Sequence, residues 1–427
     1  MKQKDIDQTE QGAPQDVPSI LANRKLLAGD RVLWVIVTLF YAISLVVVYT
    51  ASSKLGFSEG TMDGELRRHF TTICISAGFM FGCYLLGANI MRMFTVAAYA
   101  LAFIATLIPY FQPPINDAHR WLDLGFFMFQ PSELLKIATI MLLAARLSAK
   151  HHMIKKLHLL PTTLNFKKWK KDPERSIILD EIIPVISPIA LTCMVILPDA
   201  TSSAIHIFTV SLVMLFIAGI RFKEICKFVV VAALLGLIVL FTIGRGDTVV
   251  NRIKEWLNIE TVTTAESGGK SNSGKDSYYS RMAIQNGGFF GVGAGRSMMR
   301  TKLMHPESDY LFAIVVEEFG LLLSSVIILL YLWLFFRSLR IFEKCEWLYA
   351  GLLAVGLALL VTSQGFLHIA VTLGVLPETG QNLPFLTHGR TGMFCASIAI
   401  GIILSISRQV EQGSLLPPSE QTKDKHI

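Results

Sequence analysis

Apolar residues in this chain come in long unbroken runs divided by short polar stretches, a pattern unlike the stripe of a soluble helix or the alternation of a half-buried strand. Ten such runs lie near 32–52, 70–88, 93–111, 131–147, 183–198, 202–220, 228–244, 309–335, 347–370 and 390–407. About twenty apolar residues suffice to carry a helix through the hydrocarbon core. The pattern therefore predicts an all-α polytopic membrane protein of about ten transmembrane helices, with one large extracytoplasmic loop between spans seven and eight. Several runs are shorter than twenty, which predicts half-buried or broken helices around an internal cavity. A membrane domain at 32–408 lies between polar tails, 1–31 and 409–427, and contains two long connections, 148–182 and 245–308.

Composition agrees. The 427 residues are 52% hydrophobic and 17% charged, with mean hydropathy +0.51. The net charge of +7 is not gathered on any soluble domain, so nucleic acid is not expected as a partner. With the N-terminus inside, the cytoplasmic segments hold about 24 Lys and Arg and the outer ones about 14, nine of them in 245–308. Long loops cross largely regardless of charge, so the short loops decide, and they place both termini in the cytoplasm. The first span is then a retained anchor. In 148–182, Lys167, Lys168, Lys170 and Lys171 surround Trp169, and the plain reading is contact with anionic membrane lipids. The six cysteines show neither metal-ligand spacing nor a disulfide framework.

The most unusual stretch runs from Arg281 to Gly320. Five glycines (Gly287, Gly288, Gly291, Gly293, Gly295) precede the basic Arg296, Arg300 and Lys302, then His305-Pro306-Glu307-Ser308-Asp309, then apolar sequence to Phe336 broken only by Glu317 and Glu318. Asp309 falls at the outer mouth of span eight. It is a candidate general base, although Asp is also a favoured helix N-cap. At helical rise Glu317 and Glu318 lie roughly 12–13 Å deeper, with Glu317 nearer the Asp309 face. A nucleotide loop is excluded because no strand precedes the glycines and no Gly-Lys-Ser/Thr follows. The glycines instead let backbone approach a bulky ligand.

Charges inside spans are costly and mark sites. Glu133 and Lys136 follow Pro131 in span four and, three residues apart, share a face and can pair; a purely structural ion pair is the competing reading. Arg120 and Trp121 stand at the outer interface, where such residues are common anchors. Pro198-Asp199 ends span five, and Leu376–Phe385, with two prolines and a glycine, is too irregular for helix beside a span.

These landmarks together resemble the SEDS family (shape, elongation, division and sporulation). The resemblance rests on Arg120-Trp121, Phe129-Gln130-Pro131-Ser132-Glu133 with Lys136, Pro198-Asp199, Gln285-Asn286-Gly287-Gly288 through Gly295, Pro306-Glu307 with Asp309, Glu317-Glu318-Phe319-Gly320, and Leu376-Pro377 through Leu383-Pro384 and Gly389. Departures are His119 where Arg is frequent, a shorter step from Glu307 to Asp309, Thr379 where some members carry Lys, and Arg390 after Gly389.

The resemblance implies a peptidoglycan glycosyltransferase that polymerises lipid II at the outer face of the inner membrane, beside a class B penicillin-binding protein. Asn116-Asp117-Ala118-His119-Arg120-Trp121 and the long inner loop are closer to the division branch, which implies septal wall synthesis among other divisome proteins. Asp309 would be the catalytic base; Arg120, Trp121, Gln130, Glu133, Lys136, Asn286, Gly287, Gly288, Glu307, Glu317 and Thr379 would bind substrate. A divalent cation, Mg²⁺ or Mn²⁺, is expected from the family, with no ligands fixed by a motif. The rival readings are a flippase for lipid-linked precursors, which needs no base at the outer mouth, and a non-catalytic scaffold for a penicillin-binding protein.

Overall fold

The computed structural model describes residues 28–51, 62–113, 119–123, 125, 128–150, 183–242, 246–257, 273–303, 308–387, 389–413 and 415. Every predicted span coincides with a helix: α1 (Arg31–Ala51), α2 (Met62–Leu85), α3 (Ala88–Leu107), α4 (Pro131–Ala149), α5 (Ile183–Ile196), α6 (Thr201–Ile217), α7 (Phe222–Thr242), α10 (Leu311–Lys344), α11 (Leu348–Thr372) and α12 (Arg390–Glu411). Six of them, α1, α3, α7, α10, α11 and α12, are long and apolar enough to cross a membrane, while α5 and α6 are shorter apolar helices. The remaining two carry more charge: α2 begins with Asp63, Glu65, Arg67 and Arg68, and α4 holds Glu133, Lys136 and Arg146.

α11 is the axis of the bundle. Apolar all round, it is buried along nearly its whole length, as a helix with no solvent or lipid face must be. α10, α4, α12 and α6 pack around it. The outer helices α3 and α7 instead expose rows of large apolar side chains, among them Leu101 and Ile104 on α3 and Leu234 and Ile238 on α7.

Three features depart from the expected plan. A two-residue antiparallel pair, Leu122–Asp123 with Met128–Phe129, stands just before α4, so the described residues are not purely helical. The connection 245–308 contains two helices, α8 (Gly246–Leu257) and α9 (Ser273–Gly287); α8 is amphipathic, and a search for apolar runs passes over it. The break expected among the short spans falls instead in the longest helix, α10, at Gly320.

At the opposite end of α10, the start of α1 is tied to the rest. Asp30 pairs with Arg337 of α10 at 2.6 Å and its N–H donates to Ser407 of α12 at 2.8 Å, while the Gly29 N–H donates to Glu411 at 2.6 Å.

Candidate active site

Most of the described sequence-predicted site residues lie near the N-terminus of α4, at the N-terminal part of α10 with its docked loop, and beside the C-terminal half of α11. Pro131 opens α4 at the first helical position, where its missing N–H costs nothing. The turn that follows buries Glu133 and Lys136, paired at 2.8 Å. Lys136 Nζ also donates to Gln364 Oε1 on α11 at 3.4 Å, and Gln364 Nε2 donates to the Asn382 carbonyl at 3.3 Å. The buried Gln130 N–H donates to the Thr391 hydroxyl at 3.2 Å, tying α4 to the start of α12. Further along the seam, His206 of α6 bonds Ser363 at 2.7 Å, and His368 of α11 bonds the Gln381 carbonyl at 2.7 Å. A small cavity lined by Glu133, Gln364 and Cys395 adjoins the ion pair.

The glycine loop belongs to α10 as much as to its own chain segment. In an unbroken helix the Leu321 and Leu322 N–H groups would bond the Glu317 and Glu318 carbonyls. Here they donate to Gly288 O (3.1 Å) and Phe289 O (3.3 Å), while the two freed carbonyls accept from Val292 N (2.9 Å) and Gly293 N (3.0 Å). The loop thus replaces both opened bonds, which backbone at this depth requires. The break needs Gly320, whose φ of +74° and ψ of −174° are essentially closed to residues with a Cβ. Gly287 serves close approach: a Cβ there would run into the Val316 carbonyl and the Glu317 backbone.

Glu317 fastens the same junction. Its buried carboxylate accepts from Asn286 Nδ2 (3.4 Å), the Ser297 hydroxyl, Met298 N (3.2 Å) and Met299 N (3.3 Å), capping the short turn Met299–Thr301. Glu318 lies 3.8 Å from Arg300, whose guanidinium bonds the Thr50 carbonyl at the end of α1.

Asp309 stands one residue before the N-cap. That position is held by Tyr310, which makes no side-chain capping bond. Tyr310 is buried; burial first, then the charges of Glu378, Asp276 and Asp309, raise its hydroxyl above the usual phenol range, with Arg252 opposing. Four segments therefore converge here: α8 with Arg252, α9 with Asp276, Asp309 itself, and the loop after α11 with Glu378. That loop is also held from outside the spans. Trp256 Nε1 donates to Gly374 O (3.0 Å), Arg281 to the same oxygen (3.3 Å), Ser280 to Thr372 O (2.8 Å) and Arg252 to Glu378 O (3.4 Å). α8 and α9 so cap the carbonyls that a helix C-terminus leaves open. Among the described residues no three His, Cys, Asp or Glu side chains converge to hold a metal ion.

A family model described as Cell cycle protein, FtsW/RodA/SpoVE, matches residues 30–412. The chain belongs to this family. It is 28% identical over 397 residues to stage V sporulation protein E of Bacillus subtilis, covering 90% of this chain and 98% of that one. It is 29% identical to a probable peptidoglycan glycosyltransferase FtsW of Neisseria gonorrhoeae, covering 91% and 88%, and 26% identical to the FtsW of Coxiella burnetii, covering 88% and 96%. Among solved structures, a chain of a peptidoglycan synthase complex superposes with a TM-score of 0.65 at 19% identity, covering 90% and 99%. The rod shape determining protein RodA of Thermus thermophilus superposes with a TM-score of 0.56, also at 19% identity, covering 90% and 98%.

Within this FtsW/RodA/SpoVE fold the predicted residues fall into three groups. Gln130, Glu133 and Lys136 share the buried seam; Asn286, Gly287, Gly288 and Glu317 share the loop junction; Asp309 stands at the mouth. Thr379 joins the seam through its carbonyl, which accepts from Ser202 at 2.6 Å. Arg120 and Trp121 lie apart, the guanidinium 5.7 Å over the indole, next to His119, which stacks on Tyr110. Glu307 and the lysines around Trp169 lie outside the described residues. Sequence reasoning missed Gln364 and His368, although two polar residues four apart inside an apolar run were a readable signal. Ser297, Arg252 and Asp276 carried no comparable signal.

Proposed function

We propose that this protein is a peptidoglycan glycosyltransferase that polymerises lipid II into glycan strands for septal wall synthesis, and that it works beside a class B penicillin-binding protein and other divisome proteins. The observation that carries this reading is the match along nearly the whole chain to relatives named peptidoglycan glycosyltransferases. The geometry agrees with it. In this reading ten helices cross the inner membrane with both termini cytoplasmic, and the α4–α10–α11 end faces outward.

Asp309 acts as general base. It takes the proton from the acceptor sugar hydroxyl as that oxygen attacks the donor anomeric carbon and the polyprenyl pyrophosphate departs. It stands one residue ahead of the N-cap, which is Tyr310, and so not in the capping place itself. Arg120 and the basic residues of the outer loop, Arg252 among them, supply positive charge toward the departing phosphates. Lys136 is committed to Glu133 at 2.8 Å and contributes by holding the seam in shape. A Mg²⁺ or Mn²⁺ requirement belongs to the same reading, with no ligand set assigned and no step taken through it.

The test is purified protein with its penicillin-binding partner, lipid II and Mg²⁺, scored for glycan polymer on a gel with and without a chelator. Polymer from the unsubstituted chain supports the reading. Movement of lipid II across vesicles without polymer would replace it with translocation.

A further inference from the structure

The tip of the glycine loop carries large apolar side chains that the protein leaves uncovered. Phe289 is 60% exposed, Phe290 79% and Met298 71%; the two rings meet edge to face at 4.9 Å. On a water-exposed loop this would be an apolar patch without a purpose. Its height along α10 says otherwise. From Phe319 to Phe336 α10 has eighteen residues without a charge, about 27 Å at ~1.5 Å per residue, against a hydrocarbon core of ~30 Å. Arg337, paired with Asp30, marks one edge of that core. Glu317 and Glu318 then mark the other, and the loop is hydrogen-bonded to the backbone of Glu317, Glu318, Leu321 and Leu322.

Leu321 and Leu322 are themselves half exposed, and they continue the lipid-facing row of α10 that runs on through Leu329, Trp333 and Phe336. Phe289 and Phe290 extend that row sideways at the level of the boundary. We propose that the glycine loop is re-entrant, inserting Phe289 and Phe290 among the acyl chains of the leaflet opposite Arg337. The occupant of this surface is the bilayer itself. Loop residues at the headgroup boundary that bury apolar side chains gain free energy in proportion to the area removed from water. Because the loop closes the break in α10, such insertion fixes the half-helix Leu311–Phe319, and with it Asp309, at a set height over the membrane surface.

The experiment uses the full chain bearing Phe290→Trp, a change between large apolar groups at an exposed site, reconstituted in phosphatidylcholine vesicles that contain no lipid II. The emission of the added indole is read as the difference from the unsubstituted chain. The expected result is a blue-shifted difference spectrum that is lost when the vesicle lipids carry brominated acyl chains and persists in aqueous iodide. A red-shifted spectrum quenched by iodide would overturn the inference, placing the loop in water. A blue-shifted spectrum that brominated chains leave intact would also overturn it, because protein would then cover the patch. Phe289→Trp serves as the second probe and is expected to behave alike. No substrate is present, so the result is separate from the glycosyltransferase reading.

Discussion

Glu133 and Glu317 are both carboxylates buried among apolar helices, and the protein keeps them by opposite means. Glu133 has a cation three residues along its own helix, at 2.8 Å. Glu317 pairs with no cation among the described residues and is held by donors from Asn286, Ser297, Met298 and Met299. The first solution is local, survives any rearrangement of the surrounding loops, and spends two charges on one turn of helix. The second works only if a loop eighteen to thirty-one residues away in the chain is docked. A charge held that way makes the loop conditional on the helix and the helix conditional on the loop.

The largest effect is expected at the acid proposed as the general base. Asp309→Asn should slow glycan polymerisation by roughly 10²–10⁴, about 3–5 kcal/mol of barrier, with membrane insertion unchanged. Near-normal polymer at equal protein level would return the base role to another acid. Next comes the local pair. Lys136→Met strands Glu133 and should cost about 3–5 kcal/mol, seen as a lower midpoint of thermal unfolding in detergent, whereas Glu133→Leu with Lys136→Met should recover most of it. Recovery of polymerising activity as well would make the pair structural only.

The docked loop gives smaller effects. Gly320→Ala forces a Cβ onto the Phe289 and Gly291 backbone and should cost more than the ~1–3 kcal/mol of the φ alone. Limited proteolysis within the glycine loop should rise with it; an unchanged cleavage rate would mean that loop and break are independent. Glu317→Gln keeps the shape but turns an amide NH₂ toward donors, about 1–3 kcal/mol. Unlike the pair, it has no single compensating substitution. Finally, a cysteine at Ser273 should react with an impermeant thiol reagent added outside cells, and one at Asn165 should not; the reverse pattern would invert the site's side.

The contrast also explains what could be read in advance. The pair was visible because helical spacing converts three residues of sequence into one contact, and the ten helices were visible because each is an apolar run. The loop junction was not. Glu317 was placed by helical rise from Asp309 as a deeper group on a continuous helix, yet its carboxylate turns to Ser297 and Met299, and the helix is opened three residues later at Gly320. The glycines were read as room for a ligand; in the fold, the contacts at Gly287 and Gly291 are with the chain's own helix. α8 escaped because its apolar residues lie on one face, and that face is what lets Trp256 reach Gly374.

The clasp at the start of α1 has a consequence for how the molecule is made. The Asp30 carboxylate finds Arg337 only 307 residues later in the chain, and the Asp30 N–H finds Ser407 only 377 residues later. α1 therefore enters the membrane before its Asp30 carboxylate has a cation, and translation must reach α10 before that group can pair with Arg337. Closing loops of such length lags behind every local contact. A chain that stops before α12 can pair Asp30 with Arg337 but leaves the Gly29 and Asp30 N–H groups without Glu411 and Ser407, so the latch between α1 and α12 closes only once α12 is made.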